Sequence, residues 1–170
     1  MKISLIVFDL DDTLLDTTGL LIPIARTPAF EARIRQPLPL MDGAQENLEI
    51  LSRKYNLVIL TQGRTDAQKQ KVISLGIAPF FKAQYIADPA NNETKGDWFK
   101  KILQEWKISA DQMLSIGNRR TTDIREAKKQ GAWTCLFRYG EHQSEKVAVP
   151  EDQPDFEVDN HHELIEKCRL

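Results

Sequence analysis

The sequence predicts an α/β domain built on a doubly wound parallel sheet. Short apolar runs recur along the chain, helical patterns lie between them, and polar residues follow several of the runs. Residues 5–8 form a continuous apolar run, which is typical of a strand that is buried on both faces of a parallel sheet. Further runs of this kind span residues 57–60, 113–116 and 133–137, and a last short strand is expected at 156–158.

Helical patterns separate the predicted strands. One apolar stripe with helical spacing comprises Ala44, Leu48, Leu51 and Tyr55, and a second comprises Phe99, Ile102, Leu103 and Trp106. Ile124 and Ala127 precede Gly131, a residue suited to ending a helix. Alternating strands and helices favour helices on both faces of a parallel sheet.

Length and charge set limits on the class of protein. The chain has 170 residues, with 23 basic and 25 acidic side chains and a net charge of −2. This length suits one domain, residues 1–170. The balanced charge disfavours nucleic acid as a partner. No apolar run approaches the ~18 residues that span a bilayer, and residue 2 leads straight into the first strand, so we expect a cytoplasmic protein without a removable signal.

Polar residues follow three of the predicted strands where each strand ends. Ligands of such folds bind at the carboxyl ends of the strands, so these residues are expected to converge on one rim. The first strand is followed by Asp9, Asp11 and Asp12, the second by Thr61, Gln62 and Gly63, and the one at 113–116 by Gly117, Asn118, Arg119, Arg120 and Asp123.

The segment Phe8-Asp9-Leu10-Asp11-Asp12-Thr13-Leu14 resembles the first motif of the haloacid dehalogenase-like superfamily, Asp-x-Asp-x-Thr after a hydrophobic strand. Thr61 resembles the family's Thr/Ser motif and Lys95 its lysine motif. Gly117-Asn118-x-x-x-x-Asp123 resembles the acidic motif, with Asn118 as the departure. The resemblance runs from residue 5 to about 138. It implies a three-layered, Rossmann-like sheet and the hydrolysis of phosphate esters with Mg²⁺.

Phosphoryl transfer requires a nucleophile, a proton for the leaving group and neutralisation of the phosphoryl oxygens. Asp9 is the candidate nucleophile, because a carboxylate forms an aspartyl-phosphate. Asp11, two residues later, is the candidate general acid, and the resemblance supports both roles. Solvated turn acids are the simpler interpretation of Asp11 and Asp12 taken alone.

Four residues are candidates for contact with the substrate: Thr61, Gln62, Lys95 and Arg119. Thr61 is expected to donate to a phosphoryl oxygen, assisted by the backbone amides of Gln62 and Gly63. Thr94 and Asp97 indicate a capping box, which places the Lys95 cation in a first helical turn. A cation there opposes the helix dipole by ~0.3–1 kcal/mol, and such a local conflict indicates function.

The candidate ligands for Mg²⁺ are Asp9, Asp11, Asn118 and Asp123. Oxygen ligands suit this hard cation, and a divalent ion relieves repulsion of about 4 kcal/mol per close pair of carboxylates. Asp123 also suits a first helical turn, so a purely structural role stays open. Outside the motifs, Thr65 and Gln68 are predicted as a capping box, and His142, His161 and His162 as surface residues.

The spacing of the motifs leaves no room for a separate cap domain. Residues 17–41, which contain four prolines, are predicted as a short insert or flap near the Asp9 rim. An open site suits a macromolecular phosphorylated substrate, although assembly into a homo-oligomer would also close it over a small one. The alternative to a phosphatase is a non-catalytic protein of the same fold that binds a phosphorylated ligand or a protein partner, and Asn118 is the feature that supports it.

Overall fold

Six parallel strands form one sheet in the computed structural model, which describes residues 2–170. Along the chain they are β1 (Leu5–Phe8), β2 (Asn56–Gln62), β3 (Ala83–Ala87), β4 (Met113–Gly117), β5 (Trp133–Phe137) and β6 (Phe156–Val158). Their spatial order is β3-β2-β1-β4-β5-β6. The chain therefore extends the sheet first on one side of β1 and then on the other, and the reversal next to β1 is where ligands bind in open parallel sheets.

Helices cover both faces of the sheet, which confirms the predicted three layers. They are α1 (Thr17–Leu20), α2 (Pro28–Ile34), α3 (Ala44–Lys54), α4 (Thr65–Leu75), α5 (Lys95–Trp106), α6 (Arg125–Lys128) and α7 (Leu164–Cys168). Buried residues of α3, α4 and α7 belong to one core cluster, and those of α5 and α6 belong to the other. A π-helical turn, Arg120–Ile124, leads into α6.

The alternation of side chains along β1 explains its unbroken apolar run. Ile6 and Phe8 contribute to the core on the α3 and α4 side, whereas Leu5 and Val7 contribute to the core on the α5 side. All four side chains are at most 1% exposed. A strand with a helix layer on each face has no position for a polar residue until it ends, which is where Asp9 begins.

The insert at residues 17–41 folds as the short helices α1 and α2, with an irregular return to α3. It packs against α4: the Ser74 hydroxyl donates to the Ile34 carbonyl at 2.5 Å, and the Leu38 amide donates to the Ser74 carbonyl at 2.9 Å. Within residues 2–170 there is no separately folded cap domain, as the motif spacing predicts.

Across residues 2–170, every helix is too short or too polar to cross a lipid bilayer.

Candidate active site

A cavity of about 300 Å³ opens at the carboxyl ends of β1, β2 and β4. Its lining includes all eight candidate residues: Asp9, Asp11, Thr61, Gln62, Lys95, Asn118, Arg119 and Asp123. Parallel pairing of β1 with both β2 and β4 brings their ends together at one edge. The structure thus places these residues together as predicted, while the role of each stays a prediction.

Lys95 joins two of the acidic residues at the bottom of the cavity. Its ammonium donates to Oδ1 of Asp9 at 2.7 Å and to Oδ1 of Asp123 at 2.5 Å. All three side chains are less than a tenth exposed. Thr94 caps α5 by accepting from the Asp97 amide, so Lys95 lies in the first helical turn, as predicted. The cation is stable in this position because two carboxylates face it.

The three charges do not balance, since one ammonium faces two carboxylates. The pKa of Asp9 is raised to about 7: burial is the largest cause, Lys95 acts against it, and the nearby Asp123 adds to the increase. Burial alone would lower the pKa of Lys95, but Asp123 and Asp9 bring it above its ordinary value. The site therefore retains an excess negative charge that a bound cation would neutralise.

Thr61 offers a hydroxyl donor that no group among residues 2–170 uses. It ends β2 fully buried, and its hydroxyl has no hydrogen-bond partner in the described part of the chain. A buried polar group without a partner is uncommon and indicates a missing ligand or water. The assistance expected from Gly63 is wrong, because its amide already donates to the Ala87 carbonyl at 3.1 Å.

Asp11 makes contacts that the sequence did not predict. Its Oδ1 accepts from the Lys71 ammonium at 2.7 Å and from the Thr17 hydroxyl, and its Oδ2 accepts from Nε2 of Gln68 at 2.9 Å. Burial alone would raise the pKa of Asp11, but Lys71, Thr17 and Gln68 bring it below its ordinary value. Asp11 is therefore ionised in this arrangement.

The predicted capping box of Thr65 and Gln68 is wrong. Arg64 occupies the N-cap position of α4, and the Thr65 hydroxyl donates instead to Asp88 at 2.8 Å. Gln68 is free to turn inward to Asp11, and Lys71 follows it on the same face one helical turn later. Gln68 and Lys71 lie on the buried face of α4 next to apolar residues, but this burial is visible only in the structure, so no local pattern in the sequence identified the pair.

The Mg²⁺ ligands predicted from the sequence differ in how many of their side-chain oxygens already accept hydrogen bonds. Asp123 uses Oδ1 for Lys95 and accepts the Arg119 amide at Oδ2, 3.0 Å away. Asn118 donates through Nδ2 to the Tyr139 carbonyl at 3.3 Å, which leaves its amide oxygen available. In residues 2–170, no three His, Cys, Asp or Glu side chains converge on one point. A metal bound here would therefore need amide or main-chain oxygens as well.

Arg119 and Arg120 lie next to each other but face different surroundings. Arg119 lines the cavity, and its Nε donates to Glu145 at 3.1 Å. Arg120 turns away and donates to the carbonyls of Glu145 and Asp152 and to the carboxylate of Glu157. Of the two, Arg119 is thus the one that a substrate can reach.

Two of the three predicted surface histidines are not simple surface residues. His161 is 1% exposed; its Nε2 donates to the Thr13 carbonyl at 2.7 Å, and its Nδ1 accepts from Asn47. His142 lines the mouth of the cavity. His162 is exposed, as expected, and bonds to Asp42 at 2.9 Å. No local pattern identifies His161 as buried, because its partners lie more than 100 positions away in the chain.

Curated proteins similar to this chain include several named phosphatases. The glyceraldehyde 3-phosphate phosphatase of Pyrococcus abyssi is 28% identical over 197 aligned positions, which cover 81% of this chain and 82% of that protein. The enzyme of the same name from Methanopyrus kandleri is 28% identical over 123 residues, covering 72% of this chain and 53% of that protein. The chain thus spans about half the length of the latter. The alignment with the former exceeds 170 positions, so that relative contains residues that this chain lacks.

Solved structures and a family model agree with the observed fold. A 2-haloacid dehalogenase from Pseudomonas syringae superposes with a TM-score of 0.76 at 19% identity, with 98% of each chain covered. YfnB of Bacillus subtilis, named as a HAD-hydrolase and crystallised with magnesium bound, superposes with a TM-score of 0.77 at 20% identity over the full length of both chains. At these identities the likeness concerns the fold alone.

The model of the haloacid dehalogenase-like hydrolases matches residues 28–137, well over half of the chain. The protein belongs to the haloacid dehalogenase-like hydrolase family.

Proposed function

We propose that this protein is a Mg²⁺-dependent phosphatase that cleaves phosphate monoesters through an aspartyl-phosphate on Asp9. The arrangement of Asp9, Lys95 and Thr61 around one cavity carries the proposal. Oδ1 of Asp9 is held by Lys95, while no hydrogen bond among residues 2–170 uses Oδ2. One oxygen is thus fixed and the other is free to attack, next to an unused hydroxyl donor at Thr61.

The reaction proceeds in two steps. Oδ2 of Asp9 attacks phosphorus, the bond from phosphorus to the ester oxygen breaks, and Asp11 gives a proton to the departing oxygen. Water then attacks the aspartyl-phosphate, and Asp11 takes its proton, which releases inorganic phosphate and restores Asp9. The anionic phosphoryl group raises the pKa of Asp11 by charge repulsion, so this residue gains its proton when the substrate binds.

Lys95 and Thr61 hold the transferring group. The ammonium neutralises charge on the nucleophile and on the phosphoryl oxygens, where fixed charges have their largest effect on phosphoryl transfer. The Thr61 hydroxyl donates to a phosphoryl oxygen. Arg119 and Gln62 contact the rest of the substrate from the cavity wall.

The oxygen-rich, negatively charged cavity fits a hard divalent cation. The side-chain oxygens of Asp9 and Asn118 would hold Mg²⁺, whereas the Asp11 carboxylate is engaged by Lys71 and Gln68. Both oxygens of Asp123 are also engaged, so this residue would act on the metal through its charge and its hold on Lys95. Bound Mg²⁺ would neutralise the phosphoryl oxygens.

The names of the relatives support a small phosphorylated metabolite as the substrate. Besides the glyceraldehyde 3-phosphate phosphatases, they include a pyrimidine 5′-nucleotidase from Streptococcus pneumoniae, which is 28% identical over 130 residues. The cytoplasmic location expected from the sequence stays a prediction.

The decisive experiment is a phosphate-release assay over a panel of sugar, triose and nucleoside phosphates, with Mg²⁺ and with excess chelator. We expect release that needs Mg²⁺ and is absent in Asp9→Asn. Asp66→Asn, a change of the same kind at an exposed position, is the control. Tight binding of an ester without turnover would support the non-catalytic alternative instead.

A further inference from the structure

Lys71 is a buried charge to which the proposed mechanism gives no task. Its side chain is 5% exposed, and Asp11 is its ion-pair partner among residues 2–170. Burying an ion pair costs desolvation that an apolar residue at this position would avoid. Lys69, two residues earlier on the same helix, is exposed to solvent. The inward lysine is thus not simply part of a solvated face of α4.

The two carboxylate oxygens of Asp11 accept different numbers of hydrogen bonds. Oδ1 accepts from both Lys71 and Thr17, which occupies its two lone pairs. Among residues 2–170, Oδ2 accepts only from Gln68 and keeps one lone pair. Gln68 makes this bond although its own Oε1 is buried and has no partner in the part of the chain that the structure describes. The carboxylate is therefore fixed in rotation, with one position left for a proton, on Oδ2.

We propose that Lys71 is a positioning residue for the general acid: its ammonium anchors Oδ1 of Asp11, so that Oδ2 is the oxygen that exchanges a proton with the leaving group. This inference rests on the proposed function, since it takes Asp11 as the acid. Lys71 does not line the cavity, so we assign it no contact with the phosphoryl group or the leaving group. It acts through the orientation of Asp11, with Gln68 as a second support from the same helix.

The test compares two esters that differ in their need for a proton. A nitrophenyl phosphate leaves readily without one, whereas glycerol phosphate does not. In Lys71→Met we expect kcat for glycerol phosphate to fall at least tenfold further than kcat for the nitrophenyl ester, with KM nearly unchanged. Lys71→Arg should restore part of the loss, and Lys69→Met should change neither rate. Equal losses on both esters, or a loss confined to KM, would overturn the inference.

Two further measurements separate this inference from the proposed function. If the wild type hydrolyses no ester, the proposed function fails, and the contact is tested by unfolding Lys71→Met, Asp11→Asn and the double variant. The pair is supported if the unfolding constant of the double variant differs at least tenfold from the value expected when the two single changes act independently, and independent effects refute it.

If Lys71→Met does not fold, Lys71→Gln retains an N–H donor without the charge. This variant should show the same selective loss on glycerol phosphate, and its absence would refute the inference.

Discussion

The Lys95 ammonium lies 2.7 Å from Oδ1 of Asp9, and it comes from a helical turn where a cation is unfavourable. The helix dipole costs such a cation ~0.3–1 kcal/mol. Charge-assisted hydrogen bonds to Asp9 and Asp123 offset this cost. α5 thus places a fixed positive charge at the end of β1. One ammonium does not fully neutralise the two carboxylates of Asp9 and Asp123.

The excess charge predicts how the metal-free protein responds to pH. The pKa of Asp9 is raised to about 7 in the folded state, from an ordinary value of 3.8. The folded state therefore binds more protons than the unfolded state between these values, and stability falls as pH rises through this window. Asp9→Asn removes the dependence and should stabilise the metal-free protein at pH 8 by about 1–4 kcal/mol.

Urea unfolding at pH 5 and pH 8, in chelator, measures this effect. Asp66→Asn, in an exposed salt bridge with Arg64, is the control and should leave the pH dependence unchanged. The same change in stability from pH 5 to pH 8 in the wild type and in Asp9→Asn would contradict the burial of an uncompensated carboxylate at Asp9, since other groups such as His161 contribute equally to both proteins.

Thr61→Val tests whether the unused hydroxyl is a phosphate donor. Valine has nearly the same shape, so the core should not change, and removing a buried hydroxyl without a partner should cost no stability. We expect inorganic phosphate to inhibit the variant roughly tenfold more weakly, since one hydrogen bond to a charged group is worth ~1.5–3 kcal/mol.

Thr13→Val is the matched control for this change. The Thr13 hydroxyl is also buried without a partner among residues 2–170, but Thr13 does not line the cavity. If both variants weaken phosphate inhibition equally, the effect of Thr61→Val is not local to the site.

Local patterns in the sequence correctly predicted where Asp9 and Lys95 lie in the fold. The apolar run of β1 ends where Asp9 begins, and the Thr94 cap places Lys95 in the first turn of α5, as the structure confirms. Lys71 was missed for a physical reason. An inward lysine in α4 resembles any other lysine until the distant Asp11 supplies its counter-charge, and no spacing rule links two residues 60 positions apart.

His161 predicts a loss of stability in mild acid. Burial lowers the pKa of this histidine, while its bond to Thr13 acts in the opposite sense. The unfolded state therefore binds more protons below its ordinary value of 6.5, and stability decreases as pH falls from there through the folded-state pKa. His161→Gln should lower stability near pH 7.5 but flatten this acid dependence.

His162→Gln provides a control of opposite sign. Its hydrogen bond to Asp42 raises the pKa of His162, so this pair stabilises at low pH and the contribution is lost as pH rises. Thermal melts of both variants from pH 5 to pH 8 should show slope changes in opposite directions. Parallel changes would show that the buried environment of His161 does not control its protonation.

The last prediction concerns Asn118, a position at which the haloacid dehalogenase-like family usually has an acidic residue. Its amide oxygen is available to the cavity while Nδ2 donates to the Tyr139 carbonyl at 3.3 Å. An amide oxygen coordinates Mg²⁺ but adds no negative charge, and affinity for hard cations rises with the charge of the ligands. We expect Asn118→Asp to lower the Mg²⁺ concentration for half-maximal rate by roughly tenfold, which corresponds to ~1.4 kcal/mol. The new carboxylate would face the Tyr139 carbonyl as a second acceptor, so without Mg²⁺ the variant should be less stable than the wild type.

Arg119 is a weak competitor for the new charge, because its Nε already donates to Glu145. Asn56→Asp, which adds the same charge at the opposite end of β2, should leave the Mg²⁺ titration unchanged. A half-saturation point that stays the same or rises in Asn118→Asp would mean that Asn118 does not belong to the metal site.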